Sequence, residues 1–269
     1  MTEFAPDALI FDVDGVLLDV RGSFPEMIRQ TVVKGWELHG GSVDSEGYTE
    51  AHERVLKRHG AFNDDYTIPW VLLNIAKASG RQKLSEAMPS PEQLYDMIQG
   101  PKANVIDWVE TNFGSGIGFS EIQAIGWKLY AGDQNNKGLY NKETPLVSTN
   151  WKDMPLPVGI YSGRNSIEWT FAQEKLSWRD FPISNTVLYD TGVRKPSPLG
   201  IEILSKRMGF KRPVYFGDTA SDVQALRAFG PGGSFIAIGD LLPEEKSFPS
   251  AQAALEAVFS ILPPVVQAN

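Results

Sequence analysis

The 269-residue chain contains no cysteine. That excludes a disulfide framework, a thiolate metal site and a cysteine nucleophile, and it suits a reducing compartment. Histidine is nearly absent too: His39, His52 and His59 show no metal-ligand spacing, are expected at exposed helix positions and receive no role. An excess of basic charge is also missing. With 25 Lys and Arg against 33 Asp and Glu, the net charge is −8, and no basic stripe is available to neutralise phosphates, which argues against nucleic acid as a partner. No apolar run approaches the roughly 20 residues that a membrane span requires, so no membrane partner is expected. Glu3 and Asp7 stand where a secretory leader would carry basic residues. A cytoplasmic location is the expectation. What remains is ordinary globular material, 42% hydrophobic and 22% charged, enough for one large domain or two small ones.

Short apolar runs ending in polar or glycine residues mark the expected strands. Residues 8–13 run into Asp14-Gly15, 158–161 into Ser162-Gly163-Arg164, 186–189 into Asp190, and 214–216 into Gly217-Asp218, with a fifth strand at 234–238. Segments of helical period lie between them at 166–176, 197–208 and 222–229, with a last one at 251–262. Alternation of strand and helix predicts an α/β fold, a Rossmann-like doubly wound parallel sheet covered on both faces. Ligands of such sheets bind outside the carboxyl ends of the strands, which is where these polar residues fall. The stretch 20–150 differs: helical patterns at 25–39, 45–59, 68–79, 91–99 and 120–131 and no convincing strand predict a helical insertion after the first strand.

Asp12 and Asp14, two apart at a strand end and followed by Gly15, offer hard oxygen ligands suited to Mg²⁺, although Asp and Gly are also plain turn formers. Thr219-x-x-Asp222 has the form of a helix capping box, which accounts for both residues without chemistry. Asp218 is not covered by that account, and a carboxylate at the end of a buried strand calls for a cation. Asp12 and Asp218 from neighbouring strands could share one metal. Ser162 reads as an N-cap serine or as part of an anion site at a helix N-terminus. Lys195, before Pro196, reads alone as a solvated lysine. Gly114-x-Gly116-x-Gly118 lacks both the spacing and the preceding strand of a nucleotide loop and is read as a link.

Taken in order, Asp12-Val13-Asp14-Gly15-Val16-Leu17, Ser162, Lys195-Pro196 and Gly217-Asp218-Thr219-x-x-Asp222 resemble the four motifs of the haloacid dehalogenase superfamily, framing the chain from Leu9 to about Ile238. The 148 positions from Asp14 to Ser162, against 33 from Ser162 to Lys195, place the insertion after the first motif. It resembles the α-helical C1-type cap of subfamily I (IA-like). The expected division is a catalytic core of residues 1–20 plus 150–269 and a cap of residues 21–149.

The resemblance implies a chemistry. Asp12 attacks phosphorus and forms an aspartyl-phosphate. Mg²⁺, held by Asp12, the backbone carbonyl of Asp14, and Asp218, offsets the repulsion, with Asp222 completing or orienting the shell. Lys195 and Ser162, with Gly163 and Arg164 beside it, hold the phosphoryl oxygens; Arg164 also reads as a surface arginine. Asp14 serves as general acid, then as base. The acid at that position favours phosphate esters over carbon–halogen or phosphonate cleavage, and the cap, as a lid, implies a small phosphorylated metabolite such as a sugar or organic-acid phosphate. Asn63, Asp64 and Asp65 are candidates for specificity or, more simply, helix-capping residues. A phosphatase is the leading reading, a phosphosugar mutase of the β-phosphoglucomutase type the alternative, and a non-catalytic metabolite-binding protein the third. Either a monomer or a homodimer is compatible with the composition.

Overall fold

The computed structural model describes residues 5–99 and 104–261, and the chain separates into two compact units, one of residues 1–19 and 144–269, the other of residues 20–143. Eight strands are present among the described residues: β1 (Ala8–Phe11), β2 (Leu18–Asp19), β3 (Thr144–Pro145), β4 (Val158–Tyr161), β5 (Thr186–Val187), β6 (Pro213–Gly217), β7 (Ser234–Ile238) and β8 (Ser247–Phe248). Six form one sheet in the order β5-β4-β1-β6-β7-β8, with every neighbouring pair parallel. β1, β4 and β6 are buried along their whole length, as central strands of a parallel sheet covered on both faces must be. This is the α/β Rossmann-like architecture that the alternating pattern predicts.

The apolar strands build the core. Ile10, Tyr161, Val187 and Tyr215 pack with Ile201, Leu204, Ala225 and Leu226, the last four supplied by helices α9 (Leu199–Met208) and α10 (Ala220–Phe229). Phe11 and Phe216 lie opposite each other in register and stack at 4.6 Å. The strand order reverses at β1, with later strands added on both sides, so β1 is the switch point where an open α/β sheet leaves a crevice. Two differences from the sequence reading are physical. The third apolar run is strand only over Thr186–Val187 and then closes into a 3₁₀ turn at Tyr189–Thr191. β2 and β3, two residues each and too short for periodicity to reveal, pair antiparallel where the chain leaves and rejoins the first unit.

The second unit holds helices α1 (Phe24–Leu38), α2 (Glu50–Lys57), α3 (Thr67–Ala78), α4 (Leu84–Ala87), α5 (Pro91–Met97), α6 (Val105–Phe113) and α7 (Phe119–Ala131). α1 buries Phe24, Met27, Ile28, Thr31, Val32 and Trp36, the three- and four-residue spacing of a single helical face. α3 is buried from Ile68 to Ala76 and forms the unit's centre. α4 is one turn long, and α6, rich in β-branched and aromatic residues, carries little intrinsic helical signal; the sequence reading contains neither. α2 starts five residues later than expected because Thr49 and His52 form its capping box. This corrects the expectation for His52. It is buried, its Nδ1 accepts from Thr49 N at 3.2 Å, and its Nε2 donates to Pro89 O at 2.9 Å.

Helices α8 (Ser166–Leu176) and α11 (Ala251–Ile261) complete the first unit; position 262 of the expected last helix lies outside the described residues. No helix among the described residues is long and apolar enough to cross a membrane.

Candidate active site

Sheet register assembles the site. Because Phe11 pairs with Ile160 on one side and with Phe216 on the other, the next residue, Asp12, leaves β1 between the ends of β4 and β6. Its backbone N donates to Phe216 O at 2.9 Å. Ser162 follows β4 and Asp218 follows β6, so three of the four motifs meet at the carboxyl edge of adjacent strands. The fourth, Lys195, reaches in from the loop before α9: its Nζ lies 2.9 Å from Asp12 Oδ1 and 2.7 Å from Asp222 Oδ1. Lys195 is therefore a buried residue, not the solvated lysine that its local sequence suggests.

Carboxyl oxygens of Asp12, Asp218 and Asp222 lie within 4.8 Å of one another. Two glycines permit that approach. Gly15 has φ +73°, and a Cβ there would sit 2.2 Å from Asp218 Oδ2. At Gly217 a Cβ would meet the Asp222 side chain at 2.5 Å. Both positions therefore exclude any larger residue without displacement of an acid.

Electrostatics follow from burial. Dehydration, reinforced by the Asp222 and Asp14 charges and opposed by Lys195, pushes the Asp12 carboxyl up to about 7. Burial acts against the Lys195 ammonium, but Asp12 and Asp222 outweigh it and hold that group above its ordinary range. Burial and the neighbouring Asp222 likewise push the Tyr215 hydroxyl well above its usual value. One ammonium facing this acidic cluster leaves it short of positive charge, and the donors are hard oxygens, so the residues fit a divalent cation of the Mg²⁺ type.

Asp222 does more than cap a helix. Its Oδ2 accepts from Thr219 N at 3.0 Å and from Thr219 Oγ1 at 2.7 Å, closing the capping box of α10, while its Oδ1 accepts from Lys195 and from the Tyr215 hydroxyl at 2.9 Å. Both oxygens of Asp222 are thus engaged by protein groups, and Asp12, Asp218 and Asp222 together could hold a metal ion.

Ser162 is buried, but it is not the N-cap of the following helix. Asn165 takes that place, its side chain accepting from Ile167 N and Glu168 N. Four residues, 162–165, separate strand from helix, and Ser162 Oγ accepts from Arg164 N at 3.3 Å instead. Gly163 between them is exposed. Arg164 is buried and is no surface arginine. Its Nε and Nη2 donate to Asp14 Oδ1 at 2.8 and 2.6 Å, and its Nη1 donates to Glu168 O at 3.2 Å. The Arg164–Asp14 contact is one that the sequence reading missed. The residues lie 150 apart in sequence, and no local spacing signals the pair.

Asn63, Asp64 and Asp65 belong to the second unit. Asp64 takes the capping role: its side chain accepts from Tyr66 N and Thr67 Oγ1 at the start of α3. Asp65 is paired with Lys57 at 2.7 Å.

Comparison with known proteins bears on the family and the fold. The family model of haloacid dehalogenase-like hydrolases matches residues 6–230. The chain belongs to that family of hydrolases. Among solved structures, phosphatase Tt82 from Thermococcus thioreducens is 25% identical with a TM-score of 0.66, the match covering 94% of this chain and 99% of that one. A haloacid dehalogenase-like protein of unknown function from Agrobacterium tumefaciens shares the fold at 16% identity and a TM-score of 0.54, over 95% of this chain and 98% of the other. No curated protein sequence matches the chain.

Proposed function

We propose that this hydrolase is a Mg²⁺-dependent phosphatase that cleaves a small phosphate monoester, such as a sugar or organic-acid phosphate, through an aspartyl-phosphate on Asp12. The observation that carries the reading is the position of Asp12: at the switch point of the sheet, against Lys195 and Asp222 and close to Asp218. The likeness to a phosphatase along nearly the whole chain supports it.

Asp12 and Asp218, with Asp222 behind them, would hold the cation, which when bound supplies charge that offsets the repulsion between carboxylate and phosphate. Asp12 Oδ attacks phosphorus while the alcohol leaves. Asp14 gives the alcohol its proton, and then takes one from the water that cleaves the aspartyl-phosphate. Lys195, oriented by Asp222, which also accepts from the Tyr215 hydroxyl, and Ser162 hold phosphoryl oxygens as charge builds on them.

The test is phosphate release from a panel of phosphorylated metabolites with Mg²⁺, with Asp12→Asn and an EDTA-treated sample as controls. Turnover lost in both controls supports the reading. Turnover that persists in either control, or no release from any ester, refutes it.

A further inference from the structure

Nothing in the reaction just described uses Arg164, yet its guanidinium is the most completely buried cation in the described structure, with a fully inaccessible side chain. A buried cation must be paired, and burial leaves it few options. The pairing here is specific. Nε and Nη2, adjacent arms of the planar fork, both donate to a single oxygen, Asp14 Oδ1. The remaining arm, Nη1, is directed to the carbonyl of Glu168 within the first turn of α8.

The backbone holds the fork in place. Arg164 N donates to Ser162 Oγ and Arg164 O accepts from Tyr189 N at 2.9 Å. Immediately after it, Asn165 and Glu168 cap α8 reciprocally, with Asn165 N donating to Glu168 Oε2 at 2.8 Å. The guanidinium is therefore fixed at both its stem and its tip. Asp14 stands on a turn beyond β1, and its side chain is partly open to solvent. It takes its orientation from Arg164.

We infer that Arg164 is a positioning residue that locks Asp14 through Oδ1 and so reserves Oδ2 for proton transfer. This deepens the phosphatase reading and rests on it. The division of labour between the oxygens is chemically consistent. When Asp14 is protonated on Oδ2, Oδ1 is a carbonyl oxygen that still accepts both N–H groups. As the Asp12 Oδ–P bond forms and the P–O(alkyl) bond breaks, the Oδ2 proton passes to the departing alcohol oxygen, leaving Asp14 a carboxylate. As water attacks phosphorus and the bond to Asp12 breaks, Oδ2 receives the water's proton. The Arg164 fork persists throughout, so the rotamer need not be set again for each step. The same loop carries Ser162 and Arg164, so the phosphate contact and the proton donor are placed by one backbone segment.

This assignment replaces the expectation that Arg164 touches the substrate, and kinetics separates the two. A residue that orients the proton donor matters for a poor leaving group and little for one that needs no proton. Arg164→Met and Arg164→Lys are compared with wild type on the sugar or glycerol phosphate that wild type hydrolyses fastest and on p-nitrophenyl phosphate. The expected loss in kcat/KM is about 100-fold on the alkyl ester and under about fivefold on the nitrophenyl ester. Lysine keeps the buried charge but cannot reproduce the fork, so Arg164→Lys folds and still shows the asymmetry even if Arg164→Met does not fold. Equal losses on both esters, with weaker inhibition by inorganic phosphate, would make Arg164 a phosphate contact and overturn the inference. So would unchanged kinetics on both. A wild type inactive on every alkyl phosphate defeats the phosphatase reading itself, an outcome distinct from active wild type with symmetric variants.

Discussion

The two units of the chain bury polar groups in opposite ways. In the sheet unit, the ionisable side chains of Asp12, Lys195, Asp222, Arg164 and Asp14 satisfy one another by contacts at 2.6–2.9 Å around the end of β1. In the helical unit, the buried polar side chains are mostly neutral and satisfied largely by backbone; Glu143, which accepts from the Tyr130 hydroxyl at 3.0 Å, is the exception. Asn74 on α3 accepts from Ile117 N at 3.1 Å and donates to Trp70 O, while Trp70 Nε1 donates to Ile117 O at 2.7 Å. Its ion pairs lie nearer the surface, as in Arg29–Glu46 at 2.5 Å. Aromatic packing fills the rest, with Phe24 stacked on Tyr130 at 4.5 Å and Trp70 edge-on to Phe119. Neutral networks closed on backbone fix a fold and leave no charge imbalance. Clustered buried charges cost stability unless a ligand or cation meets them, which marks the sheet unit as the seat of chemistry.

That contrast can be broken at several points. The largest expected effect is on Asp12→Asn, which should lower phosphate release by at least about 10³-fold. In the metal-free protein the same change should stabilise. Its carboxyl is pushed up to about 7 by burial, so between about pH 4 and 7 the folded chain holds a proton that the unfolded chain does not, and this group lowers stability as pH rises through that window. Asp12→Asn should flatten that part of the pH dependence, read by urea melts in EDTA. An unchanged pH slope would show that the Asp12 charge is fully compensated in the absence of metal.

Next in size, Lys195→Met removes the cation shared by Asp12 and Asp222 and should cost about 3–5 kcal/mol in the metal-free protein, measured by chemical denaturation. Mg²⁺ should restore part of that loss. Gly15→Ala follows, with an expected cost of about 1–3 kcal/mol from its positive φ together with loss of turnover, since the new Cβ must displace Asp218. In the helical unit, Asn74→Ala leaves the Ile117 N–H unpaired and should cost about 1–3 kcal/mol while the folded protein keeps its kcat. Loss of kcat there would contradict the purely structural role. The smallest effect is expected from Glu121→Gln, which weakens an exposed pair and should change stability by less than about 1 kcal/mol.

Much of this was legible before any coordinates. Residues 166–176 read as a helix from their period and are one, while the Asn165–Glu168 capping box that starts it was a local signal the reading did not use. Asp218 stood out because the capping box does not account for an acid at the end of a buried strand, whereas Asp12, which a plain turn could explain alone, stood out through the order of all four motifs. Lys195 by itself did not, since a lysine before a proline carries no local sign of burial. Ser162 was visible as a polar residue after a strand, but the true cap of α8 lies three residues further on.

The sequence by itself determined the strand–helix alternation and the place of the helical segment after the first strand, because each depends on periodicity along the chain. The tertiary structure alone decided which charges meet. Whether Asp222 caps a helix, orients Lys195 or does both depends on how α10 packs beside the loop before α9. Whether Arg164 faces solvent or grips Asp14 depends on the parallel pairing of β1 with β4, which brings residues 150 positions apart to 2.6 Å. Pairings of that kind are set by the closing of a sheet, and no local stretch of sequence encodes them.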